Sequence, residues 1–322
     1  MQKNIFTLLF LTVTCVATAQ KTSYTFQPKW TVGDKKTISI VQHEKETKGD
    51  AVVEDTTTYL NAAISVLKED NEAYYLKVVY ENIAMKSAIN FYERLGDELK
   101  EYANLELKYK VNKQTGKPDL QNWKEAQQFI NKSFEQIDSL ISNKVPDAAS
   151  FLSYGFAPIK EIFESKENIE AYMTDEIGYL FFPYNKKFTT GDTLTLTERC
   201  ANPFSPTDTI DQTTLVYLSK IDDAKKMYSI QSNDILDISG FKEMIKAMMG
   251  KMADAFGGSD SSKTKAANDI DSFDISYSNS TSINFDNSTS WPIEIIKTNR
   301  VFATDPKEGR NEKNITTTII IK

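Results

Sequence analysis

The chain has 322 residues, 40 % of them hydrophobic and 26 % charged, with 45 acidic against 38 basic side chains and a net charge of −7. A mildly acidic composition without basic clusters argues against nucleic acid and anionic membrane surfaces as partners. One histidine and two cysteines are too few for a zinc centre or a disulfide framework.

Residues 1–19 read as a secretory signal peptide: Lys3 opens it, Ile5 to Ala17 form an apolar run, and Ala17-Thr18-Ala19 is a small-x-small cleavage site before Gln20. The run is shorter than the roughly 20 residues that span a bilayer. No later segment is apolar enough to be transmembrane, so the expectation is a soluble exported protein, periplasmic or extracellular. Cys15 lies inside the run, but Thr14 stands where a lipid-anchor signal wants a smaller residue. Cleavage near Ala19 leaves Cys200 as the one mature cysteine, expected as a buried free thiol. About 300 residues then remain, enough for one large or two smaller domains with a real core.

The first β unit is placed at 20–123. Its phrase "WTVGDKKTISI" (Trp30–Ile40) returns as "FTTGDTLTLTE" (Phe188–Glu198), with Thr31, Gly33, Asp34 and Thr37 falling on Thr189, Gly191, Asp192 and Thr195. Gly-Asp is a turn signal, since Gly tolerates positive φ and Asp can bond its own backbone; the β-branched flanks read as strands. A Thr-rich strand, a charged turn and a Tyr-bearing strand follow in both places, Asp55 to Ile83 and Asp211 to Leu236. A third match joins "LELKYKVNKQTGKP" to "STSINFDNSTSWP", with Thr115 and Thr289 at one turn position and Pro118 and Pro292 three residues on. Three ordered matches point to internal duplication.

A helical connection is placed at 124–182. Trp123, Ala126, Ile130, Phe134, Ile137 and Ile141 recur at helical spacing. Phe151 to Phe163 follows Pro146 as a short apolar helix, and Ile169, Tyr172, Met173, Ile177 and Leu180 form a third, with Ser165 as N-cap. The second β unit, 183–322, carries an amphipathic Met-rich helix at 241–256 and a Gly- and Ser-rich flexible loop at 257–269. Its last strand is expected to lie within a sheet. The fold class is therefore α+β, mainly antiparallel: two related curved β units with amphipathic helices inserted between and over them.

Few residues suggest catalysis. His43 and Cys200 fall on equivalent strands of different units, beyond the hydrogen-bond reach a dyad needs. Ser65-x-x-Lys68 lies in a strand, whereas that nucleophile opens a helix. Asp269, Asp271 and Asp274 form an acidic comb without the Gly and Glu of a calcium loop. Neither a metal nor another cofactor is expected. A carboxylate pair of the glycosidase kind needs only two acids about 5–9.5 Å apart, which spacing alone does not reveal. The stripe Phe241, Met244, Ile245, Met248, Met252 and Phe256 is the candidate ligand-binding surface, because Met side chains adapt to irregular ligands.

Phe26 to Ile83, with Val66, Asp70, Tyr74 or Tyr75 and Leu76 in a V-x-x-D/N-x-x-x-Y-x-L hairpin, resembles a family of exported β-rich proteins of Bacteroidota without an assigned activity. The resemblance covers about a third of the chain and carries no functional residue across. Asp-Ser/Thr steps at Thr56, Ser139, Thr193 and Thr209 resemble that phylum's O-glycosylation acceptors. The expected fold has a looser likeness to periplasmic lipoprotein carriers, with their unclosed barrel and covering helices, at the level of fold alone. The leading expectation is a non-enzymatic exported binding module for an apolar ligand or lipid. The alternative is a cell-envelope structural or protein-interaction module with an envelope protein as partner; the third is a hydrolase using a carboxylate pair.

Overall fold

The computed structural model describes residues 23–81, 105–144, 160, 163–202, 205–236, 246, 250, 259, 264, 268, 274–305 and 309–322. The Met-rich stripe, the signal segment and the expected helix at 151–163, apart from Lys160 and Phe163, lie outside them. The architecture is mainly antiparallel β with a few helices. In chain order, β1 (Ser23–Thr25), β2 (Lys35–Lys48), β3 (Ala51–Glu69), β4 (Ala73–Glu81), β5 (Leu105–Asn112) and β6 (Pro118–Leu120) precede α1 (Trp123–Lys144) and α2 (Lys166–Phe181). Then come β7 (Lys187–Thr189), β8 (Thr193–Asn202), β9 (Ser205–Asp222), β10 (Met227–Leu236), β11 (Asp274–Asp286), β12 (Pro292–Asp305) and β13 (Gly309–Ile321).

β1 pairs with β7, and the other strands form one 11-stranded sheet in the order β6-β5-β4-β3-β2-β13-β12-β11-β10-β9-β8. The two expected units thus share a sheet, joined where β13 pairs with β2, Ile321 opposite Ile38. Both β2–β6 and β8–β12 are meanders, and their registers agree pair for pair. Leu76 and Tyr109 are opposed as Ile230 and Ile283 are; Tyr80 and Leu105 are opposed as Asp234 and Asn279 are. Even the irregularity recurs: register shifts after Val66 on β3 and at Leu218 on β9, each opposite the same point of the following strand.

The turns explain the repeated phrases. Gly33 (φ 97°) and Gly191 (φ 80°) sit in the left-handed region, and the Asp34 and Asp192 amides donate to Thr31 and Thr189 carbonyls, both at 3.0 Å. At the β5–β6 turn Asn112 Oδ1 accepts from the Gln114 and Thr115 amides, and Thr115 Oγ1 from Lys117 N. At the β11–β12 turn Asp286 Oδ1 accepts from Ser288 and Thr289, and Thr289 Oγ1 from Trp291 N. These local bonds satisfy turn backbone that no ladder reaches.

The sheet has to curl. β6 and β12 stand six places apart, about 29 Å if flat at ~4.8 Å per strand. Yet Glu170 Oε1 of α2 accepts from Leu120 N of β6 (2.8 Å), and Tyr179 of the same helix lies under the Lys297 ammonium of β12 at 5.1 Å. Those residues are about 14 Å apart along a helix axis. The neighbours Tyr184 and Asn185 likewise reach the Ser290 carbonyl and the Gln114 carbonyl, both at 3.0 Å. Among the described residues no ladder joins β6 to β8, and over those residues the sheet is a curled trough.

One end of the trough is plugged by aromatics. Trp30 stacks on Trp291 at 4.0 Å and Phe26 on Tyr228 at 4.0 Å, while Phe181 and Tyr184 meet Trp30 edge-on. Above the plug runs an aliphatic belt in register across β3, β2, β13, β12, β11, β10 and β9: Leu60, Ile40, Ile319, Ile295, Ile283, Ile230 and Leu218. α1 buries Ala126 and Ile130, and α2 buries Ile169, Ile177 and Leu180. Ser165 caps α2, accepting from Asn168 N at 3.1 Å. Tyr172 corrects the expected apolar face. It is 61 % exposed, because at 100° per residue it sits a full step round from Met173; its ring meets Phe163 edge to face.

Candidate functional site

The concave face changes character within a single strand step. Strand side chains alternate, so residues two apart share a face. Moving two residues from the belt away from the plug, the same face presents Gln42, Thr317, Lys297, Thr281 and Ser232. Two further on come Glu44, Asn299, Asn279, Asp234 and Thr214, with Ile315 as the apolar member between Glu44 and Asn299.

The polar tier is deepest on β9–β11. Thr214, Ser232, Asn279 and Thr281 are all buried. Asp234 binds them together, accepting from Thr214 Oγ1 at 2.7 Å and from Asn279 Nδ2 at 2.6 Å. Gln212 Nε2 in turn donates to Thr214 Oγ1 at 3.2 Å. Asn279 Oδ1 is buried and has no hydrogen-bond partner among the described residues. Leaving such an acceptor dry costs about 1–3 kcal/mol, so the position asks for a donor. Across the trough, Lys313 is ion-paired to Glu44. That contact first, against the opposing effect of burial, pushes the ammonium's pKa up; Glu46 and Glu54 add to it.

A carboxylate pair also exists, at the sheet edge. Asp119 and Glu170 are linked through Lys166, 3.3 Å from Asp119 and 4.0 Å from Glu170. Burial pushes the Glu170 carboxyl up and the Asp119 charge adds to it, while the Leu120 amide opposes. Burial also pushes Asp119 upward, but donors on Lys166 and Gln121 outweigh it and its pKa falls. The two carboxyls are close enough to share a hydrogen bond, without the gap a glycosidase leaves between its acids. Glu170 is occupied in pinning β6 to α2.

The other expected residues are dispersed. His43 pairs with Asp55 at 2.8 Å on the exposed outer face. Its strand β2 is separated from β8, which carries Cys200, by five strands. Ser65 and Lys68 lie in β3. Asp269 and Asp271 fall outside the described residues, as do all six residues of the Met-rich stripe. Among the described residues no group of acids, histidines or cysteines could hold a metal, and no helix is long and apolar enough to cross a membrane. Thr56 is half-buried opposite Glu44, whereas Ser139 and Thr193 are exposed; Thr209 lies in β9 opposite Ala201.

No protein-family model matches the sequence, and no curated protein does. Among solved structures, an outer membrane channel from Pseudomonas putida F1 aligns over 92 % of this chain and 98 % of its own, at 6 % identity and a TM-score of 0.15. Likeness at that level carries no argument.

Reading the sequence missed Thr214, Ser232, Asp234, Asn279 and Thr281. A signal for them was present. By register they stand where the first meander has Ala62, Val78, Tyr80, Leu105 and Leu107, all buried and, tyrosine's hydroxyl aside, apolar.

Proposed function

We propose that this is an exported, non-enzymatic binding module, grown by duplication of a β meander, which holds an amphipathic or lipid-like molecule in its trough. The observation that carries the reading is the graded concave face. An unbroken aliphatic belt lies beside a buried polar tier on the same wall, which is what a molecule with an apolar body and a polar end requires. The matched registers, shared bulge and paired turn bonds support the duplication, and the signal grammar of residues 1–19 supports export.

Native mass spectrometry of the mature protein, purified without detergent from the host that exports it, tests the binding reading. The expected result is a bound small amphiphile that organic solvent releases. An unliganded mass, together with failure of Nile red to gain fluorescence on the protein, would reject it.

A second reading has an observation of its own. Val52, Val53 and Tyr59 on β3 are 54 %, 56 % and 60 % exposed, and adjacent exposed apolar residues mark contact surfaces. That favours an envelope protein as partner. Tyr59→Ser with Val53→Ser would then abolish cross-linking to envelope proteins in cells while leaving folding intact; unchanged cross-linking would dismiss it.

A further inference from the structure

The polar tier on β9–β11 is dispensable to the fold. The first meander builds the same positions, in the same register, from Ala62, Val78, Tyr80, Leu105 and Leu107, and buries them. Something other than sheet formation accounts for five polar side chains in the second. Their valences indicate what. The Asp234 carboxylate only accepts hydrogen bonds, and Thr214 has spent its hydroxyl proton on it. Asn279 has given one amide proton to Asp234 and keeps a carbonyl oxygen that is buried and without a partner among the described residues. Asn279 is 8 % exposed, so water is a poor substitute. At Asp234 and at the Asn279 oxygen the open valences are acceptors, and Asp234 carries a formal negative charge. The nearest lysine on this wall, Lys297, stands opposite Thr281 on the next strand, with its ammonium turned over the Tyr179 ring at 5.1 Å, and Lys313 is paired to Glu44.

Resting on the binding reading above, we propose that this tier seats the head of the bound amphiphile, and that the head is a primary ammonium. It donates to Asp234 and Asn279 Oδ1 while the chain lies along the aliphatic belt. An ammonium supplies three donors and a charge that compensates Asp234; a carboxylate or phosphate head, whatever it took from the Ser232 and Thr281 hydroxyls, would meet repulsion from that carboxylate and give the Asn279 oxygen no donor.

Displacement of Nile red from the full mature chain by dodecylamine, dodecanol and dodecanoate at neutral pH tests this. The three share an apolar chain and differ only in the head. Dodecylammonium is expected to bind at least tenfold more tightly than either of the others. Asp234→Asn keeps the side-chain shape, and Asn279→Leu installs the residue of the matching first-meander position. Each should erase the preference while dodecanol affinity stays within about threefold. Thermal melting shows that both variants fold; Asn279→Leu removes an unpaired oxygen but also the donor to Asp234, so its melting point should stay within several degrees of wild type. Equal affinity for the three heads, or a preference that survives in either folded variant, overturns the head-group assignment and leaves the binding module standing. Failure of Nile red to bind at all removes the binding reading and this one with it.

Discussion

Gly116 offers the sharpest test of how the helical connection is fastened to the sheet. It lies in the β5–β6 turn at φ 69°, and a Cβ built on it would sit 2.6 Å from the Phe181 carbonyl oxygen and 3.5 Å from Tyr184 Cβ. Gly116→Ala therefore suffers two penalties. An L-residue in the left-handed region costs about 1–2 kcal/mol. The clash with backbone at the end of α2, well inside the roughly 3.5 Å of a relaxed contact, adds about 1–3 kcal/mol, as overpacking generally does. Gly191→Ala is the control, because its φ is 80° but nothing lies within 4 Å of the added carbon; it suffers the first penalty alone. Ser290, at φ 59° in the corresponding turn of the second meander, shows that a side chain is tolerated there when the space is free. Urea unfolding of both variants by circular dichroism gives the difference directly. Gly116→Ala should be the less stable by about 1–3 kcal/mol, or about 2–12 °C in melting temperature at ~2–4 °C per kcal/mol. Equal destabilisation would refute the close approach of α2 to this turn, and with it the curl of the sheet around the helix.

Three further outcomes are expected. Tyr184→Phe removes the donor to the Ser290 carbonyl at the plugged end and should lower stability by about 1–3 kcal/mol, since it leaves a buried acceptor unmet; no change in the urea midpoint would place that hydroxyl in water. Ile283→Ala in the aliphatic belt should cost about 2–5 kcal/mol, and a loss below ~1 kcal/mol would mean that the belt is not packed. The pH dependence follows from the turn carboxylates. The Thr31 amide, then its hydroxyl, holds Asp34 below the usual range; Asp286 is pushed up by burial, but the Ser288 and Thr289 donors outweigh it and its pKa falls. Because the unfolded chain binds these protons more readily, the stability they contribute is present above the unfolded pKa of about 4 and is lost as pH falls through the lower folded values. Melting temperature should fall from pH 5 toward pH 3, and Asp34→Asn with Asp286→Asn should flatten that limb; an unchanged slope contradicts the assignment.

What the sequence made legible was local. Turns announce themselves through Gly and Asp or Asn at fixed steps, so the Gly33, Gly191, Asn112 and Asp286 turns could be placed before any coordinates. The faces of α1 and α2 followed from spacing, with Tyr172 misplaced because a helix face shades into its flank without a sharp edge. The joining of two units into one sheet was not legible. It depends on β13 pairing with β2 across most of the chain's length, and β-branched alternation says that a strand has two neighbours without saying which. The polar tier was hidden for a related reason. Alternation tells which residues share a face, but "SNDIL" and "SYSNSTSINF" read as solvated strand ends until register sets Asp234 beside Asn279 and burial is known.

On the proposal that the two meanders arose by duplication, that tier separates two accounts of why they differ. Had the second simply drifted under relaxed constraint, polar substitutions would fall without regard to one another, and each buried one would leave donors and acceptors unpaired at about 1–3 kcal/mol apiece. Five such residues would consume most of the 5–15 kcal/mol by which a domain of this kind is stable. Instead Gln212 donates to Thr214, and Thr214 and Asn279 both donate to Asp234, so that the four form one connected network centred on the carboxylate. The Asn279 amide oxygen stands out against that connectedness. It lies at the edge of that network on the concave wall, four residues along β11 from Ile283 of the aliphatic belt. Asn279→Leu therefore weighs the two accounts against each other. If the oxygen is a packing defect, the variant alters stability alone, by the balance of the removed oxygen and the lost donor to Asp234; if it awaits a ligand, recognition of the head group fails as well.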